Sequence, residues 1–146
     1  MKHRLDIALD MAVREEQAQT LKLARLNEQM QRQLAQQRQL ERYGAEYSAA
    51  LAVNAERVLS ADAYKDRHAF IKQIQTSIQA QQRGIHELRK RVDSQSERWR
   101  AARTRVKSLE RSIEKARLAL ATRREQRSER LVEEWAQRQG GGRSAA

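Results

Sequence analysis

The sequence predicts an all-α protein: two long helices forming an antiparallel coiled-coil hairpin, the second helix longer, with a disordered C-terminal tail. Three observations lead there. The 146 residues hold no proline and only five glycines, three of which form the single run Gly140 to Gly142. Turns draw on Gly and Pro, so this usage argues against β-sandwiches, doubly wound α/β folds and loop-rich enzymes. Apolar residues recur with a 3.5-residue period, the signature of a coiled-coil seam. The commonest residue types are Ala, Gln, Arg, Glu and Leu, all strong helix formers.

Helix one is expected over residues of about 3 to 56. Leu5, Leu9, Ala12, Leu23, Leu26, Met30, Leu40, Tyr47, Leu51 and Val58 fall on one path of alternating three- and four-residue steps. Glu16, Gln19, Gln33, Gln37, Gly44 and Asn54 interrupt it. This weaker seam implies local irregularity, or polar positions that serve something other than packing.

The phase breaks across Val58 to Tyr64. Ser60 and Asp62 are N-cap candidates, because their side-chain oxygens can accept the unpaired amide hydrogens of a new first turn. A turn over residues of about 55 to 62 lets two half-apolar helices bury their stripes by folding back, with a short kink as the competing arrangement.

Helix two is expected over residues of about 62 to 138 and carries the cleaner pattern. Its path visits Ile71, Ile74, Ile78, Gln81, Ile85, Leu88, Val92, Gln95, Trp99, Ala102, Val106, Leu109, Ile113, Ala116 and Leu120, with only the two glutamines polar. At ~1.5 Å per residue helix two outreaches helix one, so its last turns would project. Residues 1–139 therefore make one hairpin and residues 140–146 a flexible tail. A two-helix hairpin buries one stripe per helix, so it should be marginally stable alone and gain from partners.

The formal net charge of +11 is unevenly placed. Residues 1–73 carry 12 basic and 10 acidic side chains; residues 74–146 carry 18 and 9. Arg outnumbers Lys 23 to 7, with dense runs at Arg89-Lys90-Arg91, from Arg98 to Lys107, and at Arg123-Arg124 with Arg127 and Arg130. Arg suits bidentate contacts with carboxylates and phosphates. A solvated face, an acidic protein partner, and nucleic acid or anionic lipid all fit this charge. Interleaved Glu110, Glu114, Glu125, Glu129, Glu133 and Glu134, and the lack of aromatics beside the Arg runs, weigh against nucleic acid.

No chemistry is indicated. The chain has no cysteine, hence no disulfide, zinc ribbon or thiol catalysis. It has no phosphate-cradling Gly loop, and His3, His68 and His86 are too scattered for a metal motif. No enzyme activity, metal or cofactor is expected. No apolar run approaches the ~20 residues that span a bilayer, so a soluble intracellular protein without a signal peptide is expected.

The six aromatics are informative. Trp99 lies on the helix-two seam and Trp135 in the projecting segment. Tyr43, Tyr47, Tyr64 and Phe70 gather near the proposed turn. A closure near residue 59 would place Tyr43 and Tyr47 level with residues of about 71 to 75. Leu40, Tyr43, Tyr47, Phe70 and Ile74 then form one apolar patch, either a partly exposed contact site or a cap on the hairpin core.

At these residues the chain resembles the flagellar export protein FliJ family. The likeness lies in Gln39-Leu40-Glu41-Arg42-Tyr43-Gly44-Ala45-Glu46-Tyr47, then Phe70-Ile71-Lys72-Gln73-Ile74, Ile78 and Gln81-Gln82. The opening Arg4 to Leu9 and the closing Arg123 to Ala136 are also similar to the family's ends. Trp135, the segment Ala63 to His68, and Gln81, where the family often has a His, depart from the pattern.

The resemblance implies a non-enzymatic stalk of the flagellar type III export apparatus, needed for flagellum assembly, motility and hence chemotaxis. The implied partners are the hexameric ring of the export ATPase FliI, the cytoplasmic domain of the export gate FlhA, and export chaperones. It implies no nucleic acid, and peripheral membrane association through the apparatus at the cytoplasmic face of the inner membrane. The gate-facing patch would be Gln36, Leu40, Tyr43, Tyr47, Phe70 and Ile74. The ATPase-facing end would include Leu5, Leu9, Arg123, Arg124, Arg127 and Leu131. The alternatives are the equivalent stalk of a virulence secretion system, or a generic coiled-coil dimerisation or scaffold protein.

Overall fold

The computed structural model describes residues 4–54 and 60–144. They form two helices, α1 (Arg4–Asn54) and α2 (Ala61–Ser144), and no strand. The turn expected over residues 55–62 falls largely outside the described residues. Its far edge is defined: Ser60 caps α2, its Oγ accepting the Ala63 amide at 3.2 Å while its carbonyl accepts the Tyr64 amide at 3.1 Å. Asp62 adds an acid to the first turn, where the helix dipole favours it.

α2 continues through Gly140 and Gly141 to Ser144, where the expected helix two ran to about residue 138. Without proline nothing blocks the backbone, although each glycine costs a helix about 1 kcal/mol relative to Ala. Ala145 and Ala146, the end of the expected tail, lie outside the described residues.

The chain divides into two compact units. The first, Gln17–Arg100, pairs α1 and α2 antiparallel: Gln19 meets Gln95, Gln33 meets Gln81, and Tyr43 and Tyr47 meet Phe70. Ile74, Ile85 and Leu88 are its buried apolar residues. Every residue from Ile71 to Trp99 on the α2 path is buried or half-buried, as the period predicts. The interrupting residues of α1 are in the seam too: Gln19 is buried, and Gln33, Gln37 and Gly44 are half-buried.

The glutamines pack as layers. In one, the Gln95 amide donates to the Gln19 backbone carbonyl at 3.3 Å and to the Gln19 side-chain oxygen. In the other, the Gln81 amide donates to the Gln33 carbonyl at 3.3 Å. Each α2 glutamine thus satisfies its buried amide on the α1 glutamine opposite, which avoids the cost of an unpaired polar group. Trp99 adds an edge bond, its Nε1 donating to Thr20 Oγ1 at 2.9 Å.

The second unit comprises Met1–Glu16 and Ala101–Ala146. Ala12, Ala102 and Val106 are buried, Leu109 and Ile113 half-buried. Beyond Ile113, α2 is exposed through Gly141.

Candidate functional site

The residues expected to form a gate-facing patch all lie in the Gln17–Arg100 unit, and Tyr43, Tyr47 and Phe70 meet there. Phe70 is their hub. Its ring meets Tyr47 edge-on with centroids 4.7 Å apart, and Tyr43 edge-on at 6.1 Å. Such pairs contribute about 0.5–1.5 kcal/mol beyond their burial. They form because the three rings sit on facing helix flanks: Tyr43 and Tyr47 are one turn apart on α1, and Phe70 precedes the α2 seam by one residue.

Exposure divides the patch. Tyr43 is 50 % exposed, Tyr47, Phe70 and Leu40 are half-buried, and Gln36 is exposed. Ile74 is buried and packs against Gly44 of the facing helix. A Cβ on Gly44 would come within 3.1 Å of Ile74 Cγ2. Glycine lets the helices approach closely there. Gln36 is tied down, its Oε1 accepting from the Gln81 amide at 3.4 Å. Neither the Gly44 contact nor this bond was visible in periodicity, which marks seam positions without saying what meets across them. Tyr64 stays outside the cluster; it is exposed, stacks edge-on against His68 at 4.7 Å and shares a 2.9 Å hydrogen bond with it.

The residues expected at the ATPase-facing end lie in the second unit. Leu5 and Arg123 line one groove together with Asp6, Ile113 and Leu120. Leu9 is half-buried, while Arg124, Arg127 and Leu131 are exposed along α2. Leu131, Val132 and Trp135 form an exposed apolar group there, Trp135 being 62 % exposed. Among the described residues no group of three His, Cys, Asp or Glu side chains converges, and no helix is long and apolar enough to cross a membrane.

The family model described as "Flagellar FliJ protein" matches residues 1–144. The chain belongs to the flagellar FliJ family. No curated protein and no solved structure matches it. The match supports a flagellar export-related coiled-coil protein, and the chain has two long helices. In this FliJ-family protein the Tyr43–Tyr47–Phe70 cluster is the aromatic feature on which the sequence resemblance rested.

Proposed function

We propose that this chain is the stalk and adaptor of the flagellar export apparatus, coupling the ring of the export ATPase FliI to the cytoplasmic domain of the export gate FlhA. The match to the FliJ family over residues 1–144 carries the proposal. The gate contact is assigned to Phe70, Tyr43 and Tyr47 with Leu40, Gln36 and Ile74. A half-exposed ring cluster held by a rigid seam suits a binding hot spot, since little side-chain freedom is lost on docking. The ATPase contact is assigned to Leu5 and Leu9, half-buried on α1, and to Arg123, Arg124, Arg127 and Leu131, where cations and an exposed apolar side chain share α2. Handling of export chaperones, peripheral residence at the cytoplasmic face of the inner membrane, and the absence of nucleic acid from the partners belong to the same proposal.

Two measurements test it. The purified chain added to the export ATPase should promote hexamer formation and raise ATP hydrolysis; no effect on either overturns the stalk role. Phe70→Ala with Tyr43→Ala should weaken gate binding by roughly 2 kcal/mol or more, as loss of a hot spot does, with helicity by circular dichroism retained. Unchanged gate binding removes the patch from the adaptor role.

A further inference from the structure

The flank that carries Tyr43 and Phe70 continues along the Gln17–Arg100 unit in a regular series. Stepping back by heptads from Tyr43 on α1 gives Gln36, Gln29 and Lys22; stepping forward from Phe70 on α2 gives Ser77, Gly84, Arg91 and Arg98. Tyr43 and Phe70 meet across the seam, so Lys22 and Arg91, three heptads away on each helix, hold equivalent positions on the same flank. All three cations are exposed, and none makes a hydrogen bond or ion pair among the described residues. Arg91 and Arg98 line a shallow cleft of about 360 Å³ with Lys90, Ser94 and Leu26; the Glu87 also present there is paired with Lys90 at 3.3 Å.

Gly84 lies between the aromatic and the basic ends. It is exposed in mid-helix, where Gly is a much poorer helix former than Ala. Its own helix pair does not require it: a Cβ would stand 3.7 Å from Gln33 Oε1, an ordinary contact. The residue is costly and unneeded internally, and it leaves the flank low midway between two sets of binding groups.

We infer that this flank is one continuous docking track for an acidic amphipathic protein segment. An apolar side chain of the segment anchors at Tyr43 and Phe70, its backbone passes over Gly84, and its carboxylates lie against Lys22, Arg91 and Arg98. Phe70 and Arg91 are 21 positions apart, about 30 Å along a helix. The track therefore fits a segment of about twenty helical residues. The neutral stretch of Gln29, Gln36, Ser77 and Gly84 distinguishes this occupant from a nucleic acid. A polyphosphate would run a phosphate every few ångströms over that stretch, where the nearest cation on α1, Arg32, is already paired with Glu28 at 2.6 Å. An amphipathic segment needs charge at one end only. The track extends the gate-binding patch and rests on that assignment.

The test measures binding of the full chain to the gate's cytoplasmic domain, at low and at physiological salt. Arg91→Glu with Arg98→Glu should lower affinity on the order of tenfold at low salt, mainly through the association rate, and flatten the salt dependence. Gly84→Trp should weaken binding by a similar factor, while Gly84→Ala keeps wild-type affinity. If Phe70→Ala weakens binding but the charge reversals and Gly84→Trp bind like wild type, the track is overturned and the aromatic patch stands alone. Wild-type binding by Phe70→Ala overturns the patch and the track together. A single-stranded oligonucleotide that displaces the gate domain from wild type but not from the charge-reversed protein also overturns the track, assigning the cleft to nucleic acid.

Discussion

Ile85 and Leu88 of the Gln17–Arg100 unit are 4 % and 3 % exposed, whereas Leu131 and Trp135 of the other unit are 59 % and 62 % exposed. All four lie on the same helix, α2, and in the same basic, Ala- and Gln-rich surroundings. Burial on α2 stops after Ile113, beside the first turn of α1, where Leu5 lines the same groove; Leu120, still on the apolar path, is already 50 % exposed. Up to Leu120 the three-and-four path of α2 is mostly apolar; its next steps are Arg123, Arg127, Arg130 and Glu134. Charges at successive seam positions cannot be desolvated without partners, so the stripe that would bury a second helix ends there. Leu131, Val132 and Trp135 step off that path onto a solvent-facing side. The helix itself persists because its residues are strong helix formers, aided by one-turn ion pairs such as Arg117–Glu114 at 3.9 Å. Helix formation and core formation are therefore separable in this chain, and exposed apolar groups remain where the second fails.

Truncation tests that contrast most strongly. Leu88→Ala should destabilise the protein by about 2–4 kcal/mol, through lost burial plus the cavity left in a seam closed on both sides. Leu131→Ala should change stability by less than about 0.5 kcal/mol, as exposed substitutions do. Urea unfolding followed by circular dichroism measures both. Equal effects would mean that Leu131 is buried in solution and that the two regions do not differ as described.

The polar layers give the next largest effect, and they lie wholly in the closed unit. Gln95→Leu removes the donor to the Gln19 carbonyl and leaves the buried Gln19 side chain without that bond, which should cost about 1–3 kcal/mol. Adding Gln19→Leu should recover most of this stability, because an apolar layer replaces an unsatisfied one. Replacing Gln33 and Gln81 by Leu as well should however allow the helices to slip, since no glutamine layer then opposes slippage by one heptad. Spin labels on residues 36 and 77 would report a broadened distance distribution. A single sharp distance in the fourfold variant would mean that apolar packing alone sets the register.

These layers also mark the limit of what was legible beforehand. The α2 path from Ile71 to Ile113 could be traced residue by residue, because a 3.5-residue period is a one-dimensional signal that burial follows directly. Ser60 as cap and the meeting of Tyr43, Tyr47 and Phe70 were legible for similarly local reasons. The interruptions at Gln19, Gln33 and Gly44 were visible, but not their meaning. Which glutamine faces which, and that Ile74 packs on Gly44, depend on register between residues well separated in sequence, Gln19 and Gln95 being 76 positions apart. Closure near residue 59 located the facing residues only to within a turn.

Alanine at four glycines gives the smallest effects and the finest comparison of the two regions. In each case Ala gains about 1 kcal/mol of helix propensity, so the sign of the result reports the local space. At Gly44 the new Cβ meets Ile74 Cγ2 at 3.1 Å, and Ile74 is buried and cannot swing away. Gly44→Ala should therefore be destabilising, by about 1 kcal/mol net, because overpacking a closed seam costs more than propensity returns. At Gly84 the contact is ordinary, and Gly84→Ala should stabilise by about 1 kcal/mol. At Gly140 and Gly141 a Cβ meets nothing within 4 Å. Alanine there should slow local amide exchange in the last turns of α2 without moving the global unfolding midpoint, because those turns bury no apolar surface in the cooperative unit. A midpoint shift at Gly140 or Gly141 equal to that at Gly84 would show that the end of α2 unfolds together with the closed seam.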